Sequence, residues 1–206
     1  MPVNGIRWTC VAGLLVLATA GCSADSHAAA APPSPAPAHT WQRITPSCPA
    51  MQSPPYGIDS TGKRAEDAVA LGEQQVIDQV APGATFEHAV CRYSDPGFNS
   101  PGINTDVKIF TGDAGIAQAT ALFDREETAA KRLGVDYADV PALGDDAFAW
   151  YFEPELYLAA RSGNAYVVVR TTPGPEATAT FDKLQPLRQQ IPALTPVMTD
   201  ALNALR

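Results

Sequence analysis

Residues 137–171 read YADVPALGDDAFAWYFEPELYLAARSGNAYVVVRT. Four strand signals stand in this stretch, at Tyr137 to Val140, Phe148 to Phe152, Leu156 to Arg161 and Tyr166 to Thr171, rich in β-branched and aromatic residues. Leu143-Gly144-Asp145-Asp146, Glu153-Pro154-Glu155 and Ser162-Gly163-Asn164 separate them with the residue types that reverse a chain. Connections this short join antiparallel neighbours, so the segment reads as a meander.

Upstream, Thr85 to Tyr93 and Asn104 to Phe110 read as two further strands, a hairpin whose wide loop is DPGFNSPG. Ser60 to Val80 carries Ala65, Ala68, Val69, Leu71, Val76, Ile77 and Val80 near helical spacing and stops before Pro82-Gly83, which predicts a first helix. A second helix is expected from Asp113 to about Leu133, with Ile116, Ala119, Ala121, Leu122, Phe123 and Ala130 as its core face and Gly134 as its stop. Ala177 to Arg206 reads as a helix broken or kinked by Pro186, Pro192 and Pro196. Strands in runs with a few helices predict an α+β fold. The expectation is an antiparallel sheet of about five or six strands with helices over one face.

The chain has 206 residues, room for one medium domain plus accessory segments. Its formal charge of -8 becomes -9 without residues 1–21, where Arg7 is the one charged group. Such a surface repels phosphate backbones and anionic headgroups, so no nucleic-acid partner is expected.

The N-terminus reads as an address. Val11 to Ala20 is an apolar run behind Arg7, the layout of an export signal and too short to span a bilayer. Thr19-Ala20-Gly21-Cys22 resembles the bacterial lipobox, with Thr19 where leucine is usual. Diacylation of Cys22 would give two chains, each buried methylene contributing roughly 0.8 kcal/mol, enough for stable anchoring. The alternative is an ordinary secreted protein that keeps Cys22 as a free thiol. After the cysteine, SADSHAAAAPPSPAPAHT has nothing large to bury and favours extended polyproline conformation. The domain expectation is therefore a lipoprotein signal peptide at 1–21, an acylated cysteine and Pro/Ala/Ser-rich stalk at 22–45, and one extracytoplasmic domain at 46–206. His27 and His39 fall in the stalk and read as solvated linker residues.

Cys10 leaves with the signal and Cys22 is the lipidation site, which leaves Cys48 and Cys91. Outside the cytoplasm an even remainder suggests one disulfide. Closing a loop of 44 residues removes roughly 4 kcal/mol of unfolded-chain entropy in the standard model. Cys91 on the first hairpin strand would pin the segment before the first helix to the sheet.

Catalytic patterns are sparse. His88 is the one histidine after residue 39, on a predicted strand with Phe86 and Val90 or facing solvent. The chain has no Gly-x-Ser-x-Gly or His-Glu-x-x-His motif and no complete phosphate-binding glycine loop. Asp145 with Asp146, and Glu153 with Glu155, are carboxylate pairs best read as turn residues; neither offers the alternating oxygen ligands of a calcium loop. No metal ligand or cofactor is assigned. The aromatic run is the most suggestive feature. Phe148, Trp150 and Phe152 share one strand face, as core or as the wall of an apolar groove that takes an acyl chain or a peptide. They are the candidate ligand-binding residues.

The lipobox, the stalk, Cys48 with Cys91, the Val140-Pro-Ala-Leu-Gly-Asp-Asp-Ala-Phe segment and the Ser162-Gly-Asn-Ala-Tyr-Val-Val-Val strand together resemble the actinobacterial surface lipoproteins of domain-of-unknown-function family 3558. The resemblance covers roughly residues 46 to 206. In that family an acidic residue and leucines usually follow the first cysteine, whereas here Cys48 precedes Pro49-Ala-Met-Gln-Ser-Pro-Pro. It implies a PsbP-like α+β sandwich outside the cytoplasm and no known catalytic residues. The functional expectation is a non-enzymatic binding or accessory module at the cell envelope, engaging a lipid, a cell-wall component or another exported protein. An envelope hydrolase using Asp145, Asp146 and His88 is the alternative, and a sensor-like domain acting on a membrane protein is a third reading.

Overall fold

The computed structural model describes residues 39–65, 69–94, 102–133, 136–152, 155–172 and 187–205. The expected signal, Cys10, Cys22, His27, residues 95–101, Glu153, Pro154, Gly134 and 177–186 of the expected last helix lie outside the described residues.

The four-strand meander forms as expected: β4 (Tyr137–Asp139), β5 (Asp146–Phe152), β6 (Glu155–Ser162) and β7 (Ala165–Thr172) pair antiparallel in sequence order. The hairpin is β2 (Phe86–Ser94) with β3 (Gly102–Phe110). β7 then pairs antiparallel with β3, which merges both units into one sheet. A short β1 (Lys63–Ala65) adds to the outer edge of β2, and the strand order is β1-β2-β3-β7-β6-β5-β4. Among the described residues the sheet has seven strands, where about five or six were expected.

β1 is also a correction to the first helix, which is confined to α1 (Leu71–Val80). A three-residue strand is too short for a period of two to declare itself, and Ala65 and Val69 fit the helical template by coincidence, while Ala68 lies outside the described residues. α2 (Gly115–Arg132) lies where expected, burying Ala119, Leu122, Phe123 and Ala130, while Ile116 and Ala121 are half-buried.

α3 (Leu187–Asn203) runs unbroken through Pro192 and Pro196. Its buried stripe is Leu187, Leu194, Val197, Met198 and Ala201, whereas Pro192 is exposed. The carbonyls that lose their donors, those of Arg188 and Pro192, lie toward the exposed side, where water can replace the missing N–H.

Helices cover both faces of the sheet rather than one. Toward α3 point Ile103, Val107, Ile109, Leu158, Val167 and Val169, joined by Ile44, Met51 and Ile58 from the N-terminal segment. Toward α1 and α2 point Phe110, Phe148, Ala159 and Tyr166, which meet Ile77, Leu122 and Phe123. The Cys48–Cys91 disulfide, with Cα atoms 5.6 Å apart, staples the N-terminal segment to β2 on the α3 side.

Residues 39–45, assigned by composition to the stalk, include side chains packed on the domain. The Trp41 N–H donates to Asn164 Oδ1 (2.7 Å), Asn164 Nδ2 donates back to the Trp41 carbonyl (2.9 Å), and the indole N–H donates to the Ser162 carbonyl (3.0 Å). Gly163 has φ +57° in the β6–β7 turn, and a Cβ there would also collide with the His39 carbonyl. Glycine is needed on both counts.

Candidate functional site

Strand parity decides what the α1/α2 side of the sheet displays. β2 contributes His88, Val90 and Arg92, β3 contributes Asn104, Asp106 and Lys108, and β7 contributes Tyr166, Val168 and Arg170. The register sets Arg92, Asn104, Arg170, Tyr157 and Trp150 side by side in one row across five strands. α2 seals the far end by packing Leu122 and Phe123 on Phe148 and Tyr166. Between α1, α2 and the sheet a cleft of about 470 Å³ stays open, lined in addition by Val69, Ala70, Gly72, Glu73, Val76 and Glu126. Its size falls in the range of small-molecule sites, roughly 300–1,000 Å³.

Lys108 forms the polar base of this region. Its side chain is fully buried, and Nζ donates to Asp106 Oδ1 at 2.5 Å and pairs with Glu73 Oε1 of α1 at 2.7 Å. A lysine is almost never fully buried unless it is paired, because the desolvated ammonium costs several kcal/mol without anions to hold it. His88 Nε2–H donates to the same Asp106 oxygen at 3.2 Å. Burial works against ionisation of Asp106, but the His88 hydrogen bond and the Lys108 ammonium outweigh it and hold the carboxyl below its usual value. Glu126 behaves oppositely. Burial raises its pKa, the charge of Glu73 adds to the rise, and Arg125 and Lys108 offset only part of it.

Trp150 and Tyr157 form an aromatic wall, their rings stacked at 4.7 Å with planes 11° apart. Burial, then the hydrogen bond to Glu155, pushes the Tyr157 hydroxyl up to about 12. Tyr166 is buried more deeply, and burial carries its pKa well above the usual value.

The three aromatic residues singled out from the sequence take three different positions. Trp150 lines the cleft. Phe148 is completely buried beneath it, stacked on Trp150 at 5.0 Å and touching Tyr137 and Phe123. Phe152, at the strand end, is 53% exposed and does not line the cleft. Strand periodicity identified the shared face but not the depth of each residue along it. Lys108, Glu73, Asp106 and Glu126 were not anticipated. The signal that could have found them is the unbroken apolar run Ala165 to Val169, which marks a central strand covered on both faces.

His88 and the paired aspartates do not converge. His88 belongs to the row that continues through Lys108, Tyr166 and Arg161 to Asp146, four strand spacings away, about 19 Å. Asp145 and Asp146 grip Arg161, at 3.0 and 2.5 Å, and Asp145 also accepts from the Gly163 N–H at 2.7 Å. They brace the β6–β7 turn beside a separate hollow lined by Asp124, Glu127 and Asp139. Glu155 lies near Arg170, at 3.8 Å.

The fold and cleft together define a two-faced α+β domain with a partly polar cleft. No protein-family model matches the chain, and no curated protein or solved structure matches it. Among the described residues no helix is long and apolar enough to cross a membrane.

Proposed function

We propose that this chain is a membrane-anchored envelope lipoprotein of the domain-of-unknown-function 3558 family, whose folded domain is a non-enzymatic binding module. Cys22 carries a diacylglyceryl anchor, and the stalk holds the domain outside the cell membrane. The observation that carries the binding reading is the cleft over β2, β3, β7, β6 and β5: an aromatic and aliphatic wall with a few polar groups converging on it. Mostly apolar concavities with sparse polar groups are the usual form of ligand sites. The separation of His88 from Asp145 and Asp146 removes the constellation on which a hydrolase reading depended.

The test uses the full chain exported by an actinobacterial host and extracted in non-ionic detergent. Native mass spectrometry is expected to show a mass increase of two acyl chains that Cys22→Ser abolishes, and a stoichiometric small molecule that Trp150→Ala releases. An unmodified Cys22 overturns the anchor. An empty domain overturns the small-ligand reading and moves the search to protein partners by surface cross-linking.

A further inference from the structure

The inner wall of the cleft is unbalanced in charge. Glu73 of α1, Asp106 of β3 and Glu126 of α2 bring three carboxyl groups to it, against the single buried ammonium of Lys108. Lys108 is shared by Glu73 and Asp106, and a carboxylate pair has more lone pairs than one ammonium can occupy. Glu126 makes no hydrogen bond or ion pair among the described residues. It is partly withdrawn from water with nothing positive in contact, a state that a cation beside it would relieve.

A second feature of the same cleft is independent of these carboxyl groups. Trp150, Tyr157 and Tyr166 line it, and aromatic faces carry the negative part of the ring quadrupole, which attracts cations. Val76, Val90 and Val168 add apolar surface to the cleft, which lowers the local polarity in which charges meet. Arg92 and Arg170 stand on either side of Asn104 in the outermost row. Glu155 lies 3.8 Å from Arg170, so the unbalanced charge of the cleft is the negative charge within it.

We propose that the cleft takes a ligand bearing a protonated primary amine on an aromatic or short apolar body, with the ammonium between Glu126, Glu73 and Asp106 and the body on Trp150 and Tyr157. This rests on the binding-module reading and gives its ligand a chemical class. Three N–H donors match three carboxyl groups from three elements, so the ligand also ties α1 and α2 to the sheet. An anionic ligand of the same shape meets repulsion at this wall.

The test is calorimetric titration of the full chain in non-ionic detergent with phenethylammonium, its anionic counterpart hydrocinnamate and neutral phenethyl alcohol, each corrected for uptake by empty micelles. The ammonium is expected to bind about tenfold tighter than the other two, the value of one charge-assisted contact. Glu126→Gln breaks no contact of the folded chain and is expected to erase that preference, leaving the alcohol unchanged; Trp150→Ala is expected to weaken all three. Circular dichroism of both variants verifies folding. Hydrocinnamate or alcohol binding as tightly as the ammonium, or a preference that survives Glu126→Gln, overturns the cation assignment while the binding module stands. Failure of all three probes overturns it too, and the co-purification experiment above then decides the binding module separately.

Discussion

The two faces of the sheet are built from the same strands yet are packed to different ends. On the α3 side the inward positions from β2 to β6 are apolar or hydroxyl-bearing except Glu87, which accepts from the Ile44 N–H, and the N-terminal segment, its disulfide and α3 close over them. On the α1/α2 side the fully buried apolar residues of the sheet are Phe110, Phe148, Ala159 and Tyr166, and beside them the sheet carries charge. α1 buries only Ile77, has no side chain capping its N-terminus, and leaves Leu71 77% exposed next to the cleft. A sheet covered on both sides can place stability on one face and leave the other incompletely filled. A close-packed interior has no space for a ligand, so a binding face must give up part of its packing.

The sharpest way to break this comparison is to cut into the sealed face. Leu158→Ala, at a fully buried position of β6, is expected to cost about 3 kcal/mol in denaturant unfolding while leaving cleft titrations unchanged. A loss below about 1 kcal/mol would mean that the α3 face is not the principal core.

A smaller effect distinguishes the faces by acidity. The Asp106 carboxyl is held below its ordinary value, so its ionised form contributes stability that is fully present above the unfolded-chain value of about 4 and is lost as pH falls through the lower folded value. Unfolding followed from neutral pH into acid is expected to show a steeper loss for the natural chain than for Asp106→Asn. Parallel curves would remove Asp106 from the account. The smallest effect is expected at the strand end. Phe152→Ser is predicted to shift stability by less than about 0.5 kcal/mol, and a larger loss would give that exposed ring a packing role.

The strands were legible because their turns are chemically explicit: Ser162-Gly163-Asn164 and Leu143-Gly144-Asp145-Asp146 both fall where the chain reverses. Cys48 and Cys91 were legible for a different reason, since they are the two cysteines left once Cys10 and Cys22 are assigned to the expected signal and lipidation site. The second covered face was not read. Val107-Lys108-Ile109 alternates like a strand with one wet side, and no local pattern says that Lys108 points beneath α1. Its partner Glu73 is distant in sequence and meets it only through tertiary packing. Pro192 and Pro196 do not break the last helix, because a lost backbone hydrogen bond costs little where the freed carbonyl faces solvent.

The seam between β3 and β7 has a consequence for the order in which the molecule is made. β2–β3 and β4 to β7 can each zip from a local turn, whereas the seam sets Ile109 opposite Ala165 and Gly102 opposite Thr172. Closing that long loop loses chain entropy before the central contacts return any of it, which makes seam formation the slow event. Arg92, Asn104 and Asp106 come from one side of the seam, and Trp150, Tyr157, Val168 and Arg170 from the other. A newly made chain therefore has no cleft until β7 has docked on β3, and the cleft is a product of completed folding rather than of either unit alone.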